Sequence, residues 1–429
     1  MGHETRQRVS ARALVKDGGA NYNKMNDGEA AANQMTRGTV LVLQVGNRSG
    51  PWACRSLARA GFRVVGAHDA GRVAGRSRYC RAPIRTASAF AAADDFLEDV
   101  ERICRRYAVD AVLSNDDEGI TQLLAAHPDK LAGAVFVGPT AEQYERVCDK
   151  GRLHATARAA GLDAPLAVTV ESSDADVDWP PLPSVVKPRT TQTQVAGTLI
   201  RRSAIVVATP AERAAAVAEI CSATGSAIVE ERIGGTSWRA HFVGDGTDVA
   251  IVPVTTVRSS PEEAGMSSVQ TVAAAAPGAL VDASRGLVAA LGYRGPGSVQ
   301  FIERLGTFYV HDVNLRLPSS VAVSMLAGLD MPRLAVEAAL GRPVGLRSVK
   351  VRAGVRYVWL HGELRNLVRR IQAGEPTSRV WEIAADILLA LVSPHRVLDQ
   401  LVLSDPLPTL ALASRGVRAI HTRPQKSAA

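Results

Sequence analysis

Between residues 39 and 114 short apolar runs alternate with helical stretches, and that alternation leaves few folds open. Thr39-Val-Leu-Val-Leu-Gln-Val45 is apolar without polar alternation, as expected of a strand buried on both faces. It stops at Gly46. Trp52 to Ala60 then reads as a helix closed by Gly61, and Arg63 to Ala67 as the next strand. Phe96 to Tyr107 is an amphipathic helix and Asp110 to Ser114 a further strand. Strand–helix–strand order of this kind predicts a parallel sheet covered by helices on both faces.

The chain has 429 residues, more than one such domain needs. Apolar residues at 46% and charged residues at 21% exclude global disorder. Aromatics are only 4%, so the core must be built from Ala, Val and Leu. The five cysteines (Cys54, Cys80, Cys104, Cys148, Cys221) are odd in number and have no metal-site spacing. They read as core residues of a reducing compartment. No apolar run approaches the ~18 residues of a membrane span. The first ~36 residues are polar and lack the apolar core of a signal peptide. A cytoplasmic protein with a mobile tail over residues 1–37 is expected.

The first turn, Gly46-Asn-Arg-Ser-Gly50, invites a dinucleotide-binding reading, with Asp69 about 20 residues on. It is not GxGxxG, and a Rossmann-like domain without nucleotide fits better. Asn115-Asp-Asp-Glu118 lies where open α/β sheets hold ligands, and reads equally as a helix cap. Beyond it, Glu142 to Gly161 reads as a helix and Ser184-Val-Val-Lys-Pro188 as a strand with one lysine. Pro210 to Thr224 follows as a helix, then Ala227 to Glu231 as a strand. Trp238 to Val243 and Val249 to Val257 form an antiparallel pair, and Val281 to Leu291 a helix. Asp330 caps a helix ending at Gly341. From Leu346 the pattern becomes short, basic and mixed, with a helix over Trp381 to Ser393; it reads as a C-terminal appendage.

The chemistry concentrates in a hairpin, Gly297 to Ile302 and Phe308 to Arg316, joined at Gly306. Alternate strand residues share a face, so Asp312, Asn314 and Arg316 point one way. Gln300 joins them across the ladder. Oxygen donors of this kind suit Mg²⁺ shared with phosphate oxygens, and the arginine suits a phosphate or carboxylate. The competing reading is a solvated edge strand.

Here the sequence resembles the ATP-grasp superfamily, in the branch typified by the carbamoyl phosphate synthetase large chain. That family closes on a strand with Glu or Gln and a hairpin ending Glu-hydrophobic-Asn-Pro-Arg. This chain has Val299-Gln300-Phe301 and Asp312-Val-Asn-Leu-Arg316. Asp312 replaces the usual Glu and Leu315 the usual Pro. The resemblance spans about residues 39–345. It implies a Rossmann-like domain over 38–140, an ATP-grasp domain over 141–345 and the appendage over 346–429, an α/β architecture throughout. It also implies roles. Lys150 and Lys187 would meet the phosphates. The backbone of Arg232 and Ile233 would meet adenine, with Glu230 or Glu231 near its amine or the ribose. Gln300, Asp312 and Asn314 would hold Mg²⁺, with Mn²⁺ as a substitute. Arg316 would bind the acyl phosphate or the incoming carboxylate, and Arg258 would line the acceptor site. Two departures stand out. The segment after Lys187, Arg189-Thr-Thr-Gln-Thr-Gln194, has no glycine until Gly197. Trp238 stands where many members carry a ribose-binding acid.

The implied activity is an ATP- and Mg²⁺-dependent carboxylate–amine ligase that releases ADP. Its partners would be a small carboxylate and an amine, without specific nucleic acid or membrane; the appendage would cap the site or join two copies as a homodimer. A degenerate nucleotide-binding module is one alternative. A nucleic-acid binder is another, prompted by the net charge of +8 and by Arg347, Arg352, Arg356, Arg365, Arg369 and Arg370. An NAD-dependent oxidoreductase using the first domain is a third, opposed by the broken glycine pattern.

Overall fold

The computed structural model describes residues 36–408, apart from 70–76, 116–117, 191, 196–197, 261–265, 276, 400 and 403–404. Residues 1–35 of the expected tail therefore lie outside the described residues, as do Asp116, Asp117 and Gly197, whereas Arg37 pairs with Glu337 at 2.8 Å.

The first sheet is parallel. It comprises β1 (Thr39–Val42), β2 (Arg63–Asp69), β3 (Arg81–Thr86), β4 (Ala111–Leu113) and β5 (Val135–Phe136), in the order β3-β2-β1-β4-β5. Helices α1 (Gly50–Arg59), α2 (Ala93–Tyr107) and α3 (Glu118–Ala126) complete it. The unbroken apolar run is explained by its two covered faces. Val40 and Val42 pack with Ala53 and Leu57 of α1, while Leu41 and Leu43 pack with Phe96, Val100 and Ile103 of α2. The turn into α1 requires glycine at position 50. A Cβ there would sit 2.4 Å from the Val45 carbonyl oxygen.

Residues 142–161 do not form one helix. They form α4 (Ala141–Val147) and α5 (Lys150–Ala159). The break has a local cause. The Asp149 carboxylate accepts from Gly151 N at 2.9 Å and starts a new helix. Lys150 is thereby held in the first turn of α5.

The second sheet is antiparallel, in the order β10-β7-β11-β6. Its strands are β6 (Ala167–Val170), β7 (Ser184–Pro188), β10 (Ile205–Val207) and β11 (Ala227–Glu231). A separate ribbon, β8 (Gln192–Val195) with β9 (Thr198–Arg201), follows β7. Helix α6 (Pro210–Thr224) covers the sheet through Val217 and Ile220. It starts on Pro210 with Thr209 as its cap and ends on Gly225 at φ +81°.

The third sheet has seven strands. They are β12 (Thr236–Asp245), β13 (Val249–Ser260), β14 (Met266–Val272), β15 (Arg294–Arg304), β16 (Thr307–Asn314), β17 (Arg356–Val358) and β18 (Arg396–Leu398). Their order is β16-β15-β12-β13-β14-β17-β18. One face packs on α4, α5 and α7 (Gly278–Ala290). The other packs on α8 (Val321–Leu326), α9 (Met331–Ala339) and, through them, on the first domain. Asp330 precedes α9 but makes no cap; its carboxylate accepts from Ser56 Oγ at 2.5 Å on α1 instead.

Residues beyond 346 extend this sheet with β17 and β18, and add α10 (Leu360–Gln372) and α11 (Thr377–Val392). Asp405 returns to the first domain. It is fully buried against Arg55 Nε at 2.8 Å, Ser77 Oγ at 2.7 Å and Arg78 N at 3.0 Å. Four of the five cysteines are buried, and burial pushes the Cys104 thiol up to about 12. No helix among the described residues is long and apolar enough to cross a membrane.

Candidate active site

The site forms where the second sheet meets the edge strand β16 of the third. The register places Gln300 opposite Asp312, and Ser298 opposite Asn314. Gln300 Nε2 and Asn314 Nδ2 donate to Asp312 Oδ2 at 2.6 and 2.7 Å. Arg316, just past the strand end, donates from Nη2 to Asn314 Oδ1 at 2.9 Å. The four hairpin residues expected together are together.

Lys150 Nζ lies 3.4 Å from Asp312 Oδ1. Burial alone would raise the Asp312 carboxyl, but the Lys150 ammonium, with His311 and Lys187, holds it down at about 2. Burial likewise opposes the Lys150 charge, but Asp312 together with Glu118 and Cys148 outweighs it, so the ammonium pKa stands above its usual range. Lys187 comes from β7. It approaches Glu230 Oε1 at 2.7 Å and donates to the His311 carbonyl at 3.3 Å, so it bridges the two sheets. Burial disfavours the Glu230 anion, yet Lys187 and His154 hold its carboxyl at about 2.

Two expectations are modified. Glu230 is turned inward onto Lys187, whereas Glu231 accepts from Leu166 N at 3.0 Å and locks β6 to β11. Only Glu230 faces the lysine. The Arg232 N–H is committed to the Pro183 carbonyl at 3.1 Å, which leaves its carbonyl to offer. Ile233, beside it, is buried. Arg258 is drawn away from this cluster. It donates to Glu363 Oε2 at 2.7 and 2.9 Å and pairs with Asp386, on α10 and α11. The segment after Lys187 forms the β8–β9 ribbon.

The structure adds two residues that the sequence reading passed over. His154 Nε2 lies 3.2 Å from Glu230 Oε1, one helical turn beyond Lys150 on α5. That i, i+4 spacing was the available signal. Arg239 stands directly across from Gln300 on β12. The signal there was strand pairing, which no local pattern reveals.

The cluster suits a divalent cation shared with phosphates. Among the described residues no group of three or more His, Cys, Asp or Glu could hold a metal. Mg²⁺ does not require such a cage, because it takes a few protein oxygens and completes its shell from phosphate and water. Asp312 supplies an anionic oxygen. A half-turn of the Gln300 and Asn314 amides would present their oxygens in place of nitrogens.

Comparison with solved structures matches this arrangement of sheets to several enzymes, three of which follow. The biotin carboxylase of Campylobacter jejuni, solved with β-γ-ATP, superposes with a TM-score of 0.60 at 16% identity, covering 74% of each chain. The L-amino acid ligase of Bacillus licheniformis gives 0.57 at 18% identity, covering 71% of this chain and 74% of the ligase. N5-carboxyaminoimidazole ribonucleotide synthetase, in its ADP complex, gives 0.58 at 11% identity, covering 75% and 80%. The chain has the ATP-grasp fold. A family profile described as ATP-grasp in the biosynthetic pathway with Ter operon matches residues 244–363. No curated protein matches the chain. The matched segment of the ATP-grasp fold runs from the β12–β13 turn through the hairpin to α10. It carries Gln300, Asp312, Asn314 and Arg316.

Proposed function

We propose that this ATP-grasp protein is an ATP- and Mg²⁺-dependent ligase that activates a carboxylate as an acyl phosphate and passes it to an amine. One observation carries the reading: Lys150, Lys187, Asp312, Asn314 and Arg316, from three separate elements, converge where the second sheet meets β16. Convergence of cations and oxygen donors suits a triphosphate. Phosphoryl transfer needs positioning and charge stabilisation more than covalent participation. The ATP and ADP complexes among the structural relatives, and the ligase among them, support the same reading.

Lys187 neutralises the inner phosphates, and Glu230 with His154 holds its ammonium in place. Lys150, anchored by the Asp149 cap, meets the outer phosphates. Gln300, Asp312 and Asn314 would hold Mg²⁺, or Mn²⁺ in its place. When bound, the ion would offset the negative charge of the phosphates. Arg316 orients the carboxylate whose oxygen attacks the γ-phosphorus, with ADP leaving. The amine then attacks the acyl carbon, and phosphate leaves. The same residues would also serve a module that binds nucleotide without turning it over, because Asp312 is the one carboxylate of the three ligands.

The test is an ADP-release screen over amino acids and small carboxylates with Mg²⁺, with product masses recorded. ADP formed only when a carboxylate and an amine are both present, with a product lighter than their sum by one water, supports the ligase. Tight nucleotide binding without ADP in any combination contradicts it and leaves the binding module.

A further inference from the structure

The seven-stranded sheet carries a second polar region on the face that bears Gln300. Gln300 stands across from Arg239 on β12. Arg239 stands across from Val254 on β13, and Thr256 follows two residues on, hence on the same face. Thr256 stands across from Gln270 on β14, and Gln270 across from Tyr357 on β17. One face thus runs from the metal-type trio to Tyr357.

At the far end of that run, Gln270 is fully buried, and neither its Oε1 nor its Nε2 finds a hydrogen-bond partner among the described residues. The Ser320 hydroxyl, at the entry to α8, is also buried without a partner. Native structures rarely leave buried amides unused. Around these two groups stand donors. Arg48, from the first turn of the parallel domain, donates to Ser319 Oγ at 2.8 Å and to Tyr357 Oη at 3.3 Å. Its guanidinium lies 4.3 Å from the Trp359 ring centroid, and that of Arg365 lies 5.2 Å from the same ring. The two cations crowd one another, and after burial and Arg369, Arg48 helps lower the Arg365 pKa.

We propose that Gln270, Arg48 and Tyr357 form a recognition subsite for an oxyanion at the distal end of the acceptor. The proposal rests on the ligase reading above and names its acceptor class. Three strand spacings separate Gln270 from Gln300, about 14 Å. An acceptor spanning from the phosphates to this subsite is therefore larger than one small amino acid. It carries its amine at one end and a carboxylate or phosphate at the other. The guanidinium, phenol and amide N–H groups all donate, which fits an anion and not a second cation. Gln270 acts here as a specificity residue, remote from the reacting atoms.

Calorimetric titration tests this without turnover, in the presence of Mg²⁺ and a non-hydrolysable ATP analogue. One arm compares tetra-L-alanine, whose extended chain spans about 14 Å, with its C-terminal amide, and the other 8-aminooctyl phosphate with 8-aminooctanol. The wild type should bind the anionic member at least tenfold more tightly in one arm, and that arm names the anion. Gln270→Met should erase most of that preference with an unchanged or raised melting temperature, because it removes a buried orphan amide. Equal affinity for both members in both arms, no binding in either arm, or an unaltered preference in Gln270→Met would overturn the subsite. Failure of the ADP screen alongside a Gln270-dependent preference would overturn the ligase reading alone.

Discussion

Two charge clusters lie on the same seven-stranded sheet, and they are built differently. Near β14 and β17, Asp386 takes Arg356 at 2.8 Å, Arg396 at 2.7 Å and Arg258, while Glu363 takes Arg258, Ser268 at 2.7 Å and Asn366. Its ion pairs are short, and they join residues of β13, β17, β18, α10 and α11. Near β16 the contacts between sheets are long: Lys150 to Asp312 at 3.4 Å and Lys187 to the His311 carbonyl at 3.3 Å. The first cluster pairs both oxygens of each of its carboxylates and holds the C-terminal helices to the sheet. The second is loose enough to exchange its internal partners for a ligand. Charge in a fold marks chemistry where its pairing is slack, and architecture where its pairing is complete.

The comparison breaks most visibly under mutation of the loose cluster. Arg316→Ala or Asp312→Asn should lower turnover by about 10²-fold or more, the scale of a lost transition-state donor, with the melting temperature little changed in Arg316→Ala and lowered in Asp312→Asn, which strands the buried Lys150. Steady-state ADP kinetics and a thermal melt check this together. Near-wild-type turnover would remove Arg316 and Asp312 from the chemistry.

Fully paired carboxylates should answer in the opposite currency. Asp386→Ala strands Arg356 and Arg396, and Asp405→Ala strands the buried Arg55; each should cost about 3 kcal/mol or more in denaturant unfolding. Nucleotide affinity of the folded fraction should hold. A large loss of affinity without loss of stability would merge the two clusters into one functional unit.

Acid sharpens the contrast further. His241 is buried, and burial lowers its pKa from 6.5 to about 3; His311 is lowered to about 4, again by burial first and then by Lys187. Unfolded histidine takes up a proton near pH 6.5 and the folded one does not. Stability is therefore full above that value and falls as the pH drops toward 3. The depressed carboxyls of Asp312 and Glu230 act later. Their contribution is present above the unfolded carboxylate range and is lost as the pH falls toward about 2. Denaturant midpoints between pH 7 and 4 should slope downward, and His241→Asn should flatten part of that slope. An unchanged slope would contradict the buried neutral state of His241.

Much of this was legible in the sequence. The parallel sheet followed from unbroken apolar runs, and α6 from Pro210 at its start and Gly225 past its end. The hairpin site followed from period-two spacing of Asp312 and Asn314. Other features were hidden for physical reasons. The break at Asp149 looked like continuous helix because α4 and α5 are both helical in composition. Arg239 and Gln270 gain their places from strand pairing across 61 and 87 residues of sequence respectively, counting from Gln300 to Arg239 and from Gln270 to Tyr357. Three-residue strands such as β17 and β18 carry almost no periodic signal, so residues beyond 346 read as an appendage although they complete the sheet. Much of the basic excess there is used internally. Arg347 meets Asp248, Arg356 meets Asp386 and Arg370 donates to the Arg379 carbonyl.

The smallest effect lies where architecture and chemistry share a residue. Asp149→Ala removes the α5 cap and the partner of Arg189, and should cost about 1 kcal/mol in stability. It should also weaken nucleotide binding a few-fold, because Lys150 loses its fixed start. Asn in its place should restore the cap and most of the affinity.

The most direct measurement is a Mg²⁺-dependent titration of a fluorescent ATP analogue against the wild type, Lys187→Met and Asp386→Asn. The account predicts saturable binding to the wild type, at least tenfold weaker binding to Lys187→Met, and wild-type affinity in the folded fraction of Asp386→Asn. Wild-type affinity in Lys187→Met, or no binding to the wild type, would contradict it.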